Sequence, residues 1–255
     1  MQMPVGPAAL LWDVDGTLAE TELDGHRVAF NRAFEEAGLP WFWDVPLYQR
    51  LVRTSGGRER IAAYLEEVEG KRPDRERVEQ LQAAKQRAYN AMVAAGALTL
   101  RPGVERLLRS AAQHGVPQAI VTTSSRLAVQ ALLDQLLPDH RSCFQLWVCG
   151  EDVPRKKPDP GAYQLALKEL ALAPDRVIAL EDSGNGVAAA LGAGLTVLVT
   201  RSGASAGESP DAFAAAGADL DHLGEPDRPL RVHHGPACPQ GWVTLSYLQQ
   251  LLPAR

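Results

Sequence analysis

Two aspartates one residue apart, Asp13 and Asp15, follow the apolar run 8–12 and precede Gly16-Thr17 in the stretch LLWDVDGT. A carboxylate at the C-terminal end of a strand faces the crevice where open parallel sheets bind ligands. Three other stretches carry complementary groups. After PQAIVT, Thr122, Thr123 and Ser124 offer hydroxyls and amides suited to phosphate oxygens. Lys157 stands before Pro158, in a segment expected to be extended, and can aim its ammonium at an anion. Asp182 follows RVIALE, and with Asp13 and Asp15 it supplies the hard oxygen ligands that suit Mg2+. Each feature also has an ordinary structural reading: an Asx turn for the aspartate pair, helix N-caps for the hydroxyls and for Glu181-Asp182-Ser183, a charged loop for Lys157. Taken singly they stay ambiguous, but four of them at four successive strand ends are far less probable by chance.

The elements that must position these groups are legible as patterns. The run 8–13, PQAIVT, FQLWVC, RVIALE and LTVLVT are candidate strands, continuously apolar and, from Pro117 onward, separated by helical segments. That alternation predicts a parallel sheet covered on both faces, the doubly wound α/β class. Between Leu18 and Gly96 no strand pattern occurs. His26, Phe30, Ala33, Phe34 and Ala37 share one helical face ended by Gly38, and Val78, Leu81, Lys85, Ala88 and Met92 share another, opened by Pro73-Asp74. The expected organisation is an α/β core of residues 1–18 and 97–224, an all-helical insert of residues 19–96 directly after the first strand, and a Pro-rich C-terminal extension of residues 225–255 ending in a helix over 242–252.

At 255 residues the chain can bury a full core without disulfides. Its three cysteines, Cys143, Cys149 and Cys238, form no CxxC pair, so idle thiols in a reducing compartment are the expectation. A net charge of −5 with dispersed basic residues argues against nucleic acid as a partner. The apolar run at the N-terminus is too short for a signal peptide or a membrane span. A cytoplasmic location and a monomer are the default expectations, a removed transit peptide being invisible here. His233, His234 and Cys238 lack a fourth ligand and are set aside as a zinc site.

DxDGT, a hydroxyl at a strand end, K-P and E-D in this order resemble the haloacid dehalogenase superfamily over nearly the whole chain to about Gly207. The resemblance implies a Rossmann-like core with a C1-type helical cap and an active site between them. It implies Asp13 as the nucleophile forming an aspartyl phosphate and Asp15 as general acid/base. Thr122 and Lys157 would hold the phosphoryl group, and Asp13, Asp15, Glu181 and Asp182 would make up the Mg2+ site. The chemistry agrees, since a carboxylate attacks phosphorus readily only when the surrounding oxyanion charge is screened.

Within that superfamily, DVDGTLAETE, the nearby His26-Arg27, and a Tyr48-bearing helix leading to RTSGGRER are similar to the CbbY-type sugar-phosphate phosphatases. Leu23-Asp24-Gly25 places one residue more between Glu22 and His26 than that pattern has. The resemblance implies hydrolysis of xylulose 1,5-bisphosphate, an inhibitory by-product of Rubisco. A bisphosphate needs a second anion site, and the segment 54–57, with a helix predicted near Arg58, offers the Gly57 amide, a helix N-terminus and the guanidinium of Arg53 or Arg58. Glu20, Glu22, His26 and Tyr48 could bond sugar hydroxyls, although His26 fits equally well as helix packing. Two alternatives stand beside this reading: a β-phosphoglucomutase-like phosphomutase, and a sugar-phosphate sensor without turnover.

Overall fold

Strand β1 (Ala9–Trp12) is followed by a π-helical turn (Glu22–His26) and four helices, α1 (Arg27–Glu36), α2 (Val45–Leu51), α3 (Gly57–Glu69) and α4 (Arg75–Ala94). Then come α5 (Val104–Gln113), β2 (Gln118–Val121), α6 (Arg126–Leu136), β3 (Phe144–Val148), α7 (Gly161–Leu170), β4 (Val177–Glu181), α8 (Gly184–Gly192) and β5 (Thr196–Thr200). The chain ends with β6 (Ala218–Leu220), β7 (Val232–His234) and α9 (Leu245–Leu251). These elements belong to a computed structural model that describes residues 6–253.

The seven strands form one sheet in the order β3-β2-β1-β4-β5-β6-β7. The first six run parallel, and β7 adds to β6 antiparallel. The order reverses at β1, between β2 and β4, which is where open α/β sheets hold their ligands. Every residue of β1, β2 and β4 is buried, as expected of strands covered on both sides. Alternation along β1 divides the core, with Leu10 and Trp12 packing in one layer and Ala9 and Leu11 in the other.

Helices α1–α4, here called the cap, interrupt the α/β unit between β1 and α5 and carry their own core. Phe30, Phe34, Trp43, Tyr48, Ile61, and Tyr64 pack there, the ring of Trp43 lying 4.6 to 6.1 Å from those of Phe30, Phe34, Tyr48 and Tyr64. The two connections between cap and core pair as a short ribbon: the Arg101 amide donates to Leu18 O (2.9 Å) and the Glu20 amide to Thr99 O (3.3 Å).

Five of the strands coincide with the five apolar runs of the sequence, and α1 and α4 coincide with its two helical periods. Strands β6 and β7 were not anticipated. Three residues each are too few to show a period, and two of the three β7 residues are exposed at the sheet edge. The C-terminal segment is integrated through β7 and α9, whose Tyr247 and Leu248 join the core under the sheet.

Candidate active site

The chain leaves β1 at Trp12, and the Asp13 amide donates to Leu180 O (3.0 Å), so the first aspartate stays tied to the neighbouring strand end. Lys157, on the segment after β3, reaches the same point. Its Nζ donates to Asp13 Oδ1 (2.7 Å), Glu181 Oε1 (2.6 Å) and Val121 O (2.7 Å), and lies 5.0 Å from the centre of the Tyr163 ring. Tyr163 also donates its hydroxyl to Glu181 Oε1. Burial opposes the charge on Lys157, but Asp13 and Glu181 outweigh it and raise its pKa. The Lys157–Pro158 peptide is cis.

Asp13, Glu181 and Asp182 bring carboxylate oxygens within 4.8 Å of one another, all buried. Burial pushes Asp13 up to about 8, with Glu181 and Asp15 adding to the rise and Lys157 opposing it. Asp182 is raised for the same reasons, burial first and then Asp13. Among the described residues Glu181 Oε2 has no hydrogen-bond partner. Gly16 has φ of +81°, and a Cβ there would collide with the Asp182 carboxylate. This crowded, hard, under-neutralised oxygen set fits a divalent cation of the Mg2+ type.

Asp15 does not join that set. Its carboxylate is turned toward the cap, where it accepts from Thr21 Oγ1 (2.6 Å) and Ser124 Oγ and lies 2.9 Å from His26 Nε2. Burial alone would raise its pKa, but His26, Ser124 and Thr21 reverse the sign and hold it well below the usual carboxylate range. The side chain expected among four metal ligands is therefore saturated by other donors.

His26 reaches Asp15 because of the π turn. The His26 amide bonds Thr21 O (2.6 Å), five residues back, the wide spacing of a π turn. The imidazole stacks on Tyr89 with centroids 4.2 Å apart, and its Nδ1 lies 2.9 Å from Lys85 Nζ. Burial lowers Lys85 to about 8, against the raising effect of Asp15 and Glu22.

The helix-capping alternatives are resolved by the residue one step further along. Ser125 caps α6 by accepting from the Ala128 amide, and Ser183 caps α8 by accepting from the Gly186 amide, which leaves Ser124 and Asp182 free for the site. Thr122 is buried and its Oγ1 accepts from the Ser124 amide (3.1 Å), while Thr123 lies on the cavity wall.

Two adjoining spaces open between core and cap. A smaller one of about 70 Å³ touches Asp13, Lys157, Asp182, Arg53 and Asn185. A larger one of about 190 Å³ is walled by His26, Gly57, Arg58, Arg60, Lys85 and Lys156. Asp15, Glu22, Arg60 and Thr123 border both. Glu22 accepts from the Tyr48 hydroxyl, which also receives Arg60 Nη1 at 2.7 Å. Gly56 opens α3 at φ +94°, and any Cβ there would press on Glu59 and Lys156.

Arg60 and Lys85 are the cations that sequence reading missed. It named Arg53, which lines the smaller space, and Arg58, which lines the larger one with a side chain 62% exposed and paired with Glu79. Arg60 is buried and lies over the rings of Phe30 and Tyr48. A signal existed: Arg60 shares the buried stripe of Ile61, Tyr64 and Leu65, Lys85 that of Leu81, Tyr89 and Met92, and a charge on such a stripe requires a partner inside. Glu20, in contrast, pairs with Arg101 (3.0 Å) and is on neither cavity wall.

The profile of the haloacid dehalogenase-like hydrolases matches residues 7–194, and the chain belongs to that family. Within it, the chain is a CbbY-like phosphatase. It is 41% identical over 247 residues to the plasmid CbbY protein of Cupriavidus necator, covering 94% of this chain and 95% of that one. It is 44% identical over 193 residues to CbbY of Cereibacter sphaeroides, covering 75% of this chain and 83% of that one. A crystal structure of CbbY from Rhodobacter sphaeroides in complex with xylulose-(1,5)-bisphosphate superimposes with a TM-score of 0.78 at 40% identity, covering 85% of this chain and 94% of that chain. No helix among the described residues is long and apolar enough to cross a membrane.

Proposed function

We propose that this phosphatase depends on Mg2+ and hydrolyses a small sugar bisphosphate, with xylulose 1,5-bisphosphate as its substrate. The supporting observation is that the cleft has two poles, one suited to a phosphate once a cation is bound and one carrying several basic side chains, with Asp15 on the wall of both. At one pole stand Lys157 and the three carboxylates that suit a cation; at the other, Arg60, Lys85, Lys156 and the Gly57 end of α3 line the larger space. A monophosphate would use only the first. The relative that carries xylulose 1,5-bisphosphate points the same way.

Asp13, Glu181 and Asp182 would hold Mg2+, which when bound offsets the charge of the carboxylates and of the phosphoryl oxygens. Lys157 fixes Asp13 at 2.7 Å and adds a positive charge beside the reacting group. An oxygen of Asp13 attacks phosphorus, the bond from phosphorus to the sugar oxygen breaks, and Asp15 gives its proton to the departing alkoxide. Water then attacks the aspartyl phosphate, its proton passes to Asp15, and the bond to Asp13 breaks to free inorganic phosphate. The donors around Asp15 favour its ionised form, the one the second step needs; an approaching phosphate dianion favours the protonated form that the first step needs. His26, Thr21 and Ser124 hold the proton-transfer carboxylate between the two poles.

The test is phosphate release with Mg2+ across xylulose 1,5-bisphosphate, ribulose 1,5-bisphosphate and simple monophosphates. We expect kcat/KM for the xylulose compound to exceed the others by at least about 10-fold, and chelation by EDTA to stop turnover. Equal rates across the panel would remove the bisphosphate assignment. Conversion of glucose 1-phosphate to glucose 6-phosphate with little free phosphate would favour a mutase instead.

A further inference from the structure

Arg101 lies on the connection that returns from the cap to the core, outside both cavities, and is 6% exposed. Its guanidinium is engaged on every side. Nη1 donates to Gly16 O, Thr200 O (2.6 Å) and Thr200 Oγ1 (3.0 Å); Nη2 donates to Arg201 O (2.7 Å) and Asp221 O (2.7 Å); Nε pairs with Glu20 at 3.0 Å. Its own amide donates to Leu18 O. One side chain thus joins the ends of β5 and β6, the turn that carries Asp15, and the outgoing cap connection.

The partners explain why an arginine is there. Backbone carbonyls at strand ends are left over when a sheet stops, and when buried they need donors. Five N–H groups in a fixed planar fork can serve several of them together, whereas a lysine offers three on a flexible stem. The turn is held twice, at Gly16 O by the guanidinium and at Leu18 O by the Arg101 amide, and the Gly16 amide closes it on Ala19 O (2.9 Å). Asp15 precedes Gly16 directly, so the backbone under the proton-transfer carboxylate is anchored to the core through Arg101.

We propose that Arg101 is, through the 15–19 turn, a positioning residue for Asp15. Asp15 is met from the cap side by His26 at 2.9 Å, and the cap itself packs on the core through Ala29, Tyr89, Met92 and Val93. The turn beneath Asp15 is held from the core side by Arg101, whose guanidinium Glu20 keeps in place at 3.0 Å. This inference rests on the assignment of Asp15 to proton transfer, not on the identity of the sugar.

The test uses Arg101→Lys and Glu20→Gln in the full chain with Mg2+, assayed on p-nitrophenyl phosphate as well as xylulose 1,5-bisphosphate. A failed sugar assignment would then show in the parent enzyme on the second compound and leave the first readable. Folded Arg101→Lys should lose roughly 10- to 100-fold in kcat on p-nitrophenyl phosphate with KM nearly unchanged, since a misplaced catalytic group costs turnover before it costs binding. The 15N resonance of His26 Nε2, which reports its contact with Asp15, should shift. Glu20→Gln keeps the guanidinium on its carbonyls but weakens its hold, and should lower kcat on the same compound by roughly 3-fold with KM held. If Arg101→Lys does not fold, the Glu20→Gln constants decide. A folded variant of either kind with kcat, KM and the His26 resonance all unchanged overturns the proposal, including the case in which only the melting temperature falls.

Discussion

The core half and the cap half of the site are built by opposite means. In the core, Asp13, Glu181 and Asp182 stand at the ends of adjacent parallel strands, and ladder geometry brings them together around Lys157. In the cap, Arg60 and Lys85 come from the buried stripes of two helices and are held by aromatic rings and by Glu22, Tyr48 and His26. The first arrangement places charge by backbone, the second by side-chain packing. Strand ends fix a reaction geometry that differs little from substrate to substrate, whereas a packed helix pair can be re-faced by a few substitutions.

The sharpest way to break the core half is Asp13→Asn. It removes the attacking oxygen and should lower phosphate release by at least about 10⁴-fold, measured in single turnover, with circular dichroism unchanged. Turnover retained by that variant would remove Asp13 as nucleophile. For the cap half, Arg60→Lys keeps the charge and loses the planar fork over Tyr48. It should raise KM for xylulose 1,5-bisphosphate roughly 10-fold while kcat on p-nitrophenyl phosphate changes little. Equal losses on both compounds would mean that Arg60 serves the chemistry and not the selection.

The smallest effect concerns stability. Burial holds Lys85 at about 8, below its ordinary 10.5, so between these values the unfolded chain binds more protons than the folded one. Stability therefore rises with pH across that window: the cost of burying the ammonium is fully present below pH 8 and disappears toward pH 10.5. Relative to Lys85→Met, the parent should gain with a slope of up to about 1.4 kcal/mol per pH unit in urea unfolding. Parallel curves for the two proteins would show that Lys85 stays charged through the range.

The same contrast explains what could be read in the sequence. Core motifs are contiguous, each sitting at the end of an apolar run that marks its strand, so Asp13, Lys157 and Asp182 could be placed from order alone. The cap residues depend on which side of a helix faces inward. Within RTSGGRER, Arg53 and Arg58 also reach the cavity walls, but it is the inward side of α3 that adds Arg60, and two turns of helix show that stripe only once Ile61 and Tyr64 are known to be buried. Lys85 stood inside a recognised period and was passed over as part of the apolar face. As a hard carboxylate beside a strand end, Asp15 reads as a metal ligand, but the turn at Gly16 sends its side chain to donors more than five residues away in the chain. Strands β6 and β7 left no period to find, since three residues offer a single alternation.

The widened turn at 22–26 has a practical consequence. Inserting a residue into an α-helix rotates everything beyond it by about 100°, which would carry Phe30 and Phe34 out of the cap core. Here the wide turn is confined to 22–26 ahead of α1, so a change of length within it leaves the phase of the following helix alone. This makes the segment a length buffer: a chain shortened by Asp24 can close to an ordinary turn and keep His26, Phe30 and Phe34 on their present sides. Grafting cap helices between relatives of unequal length is best done with the junction placed here.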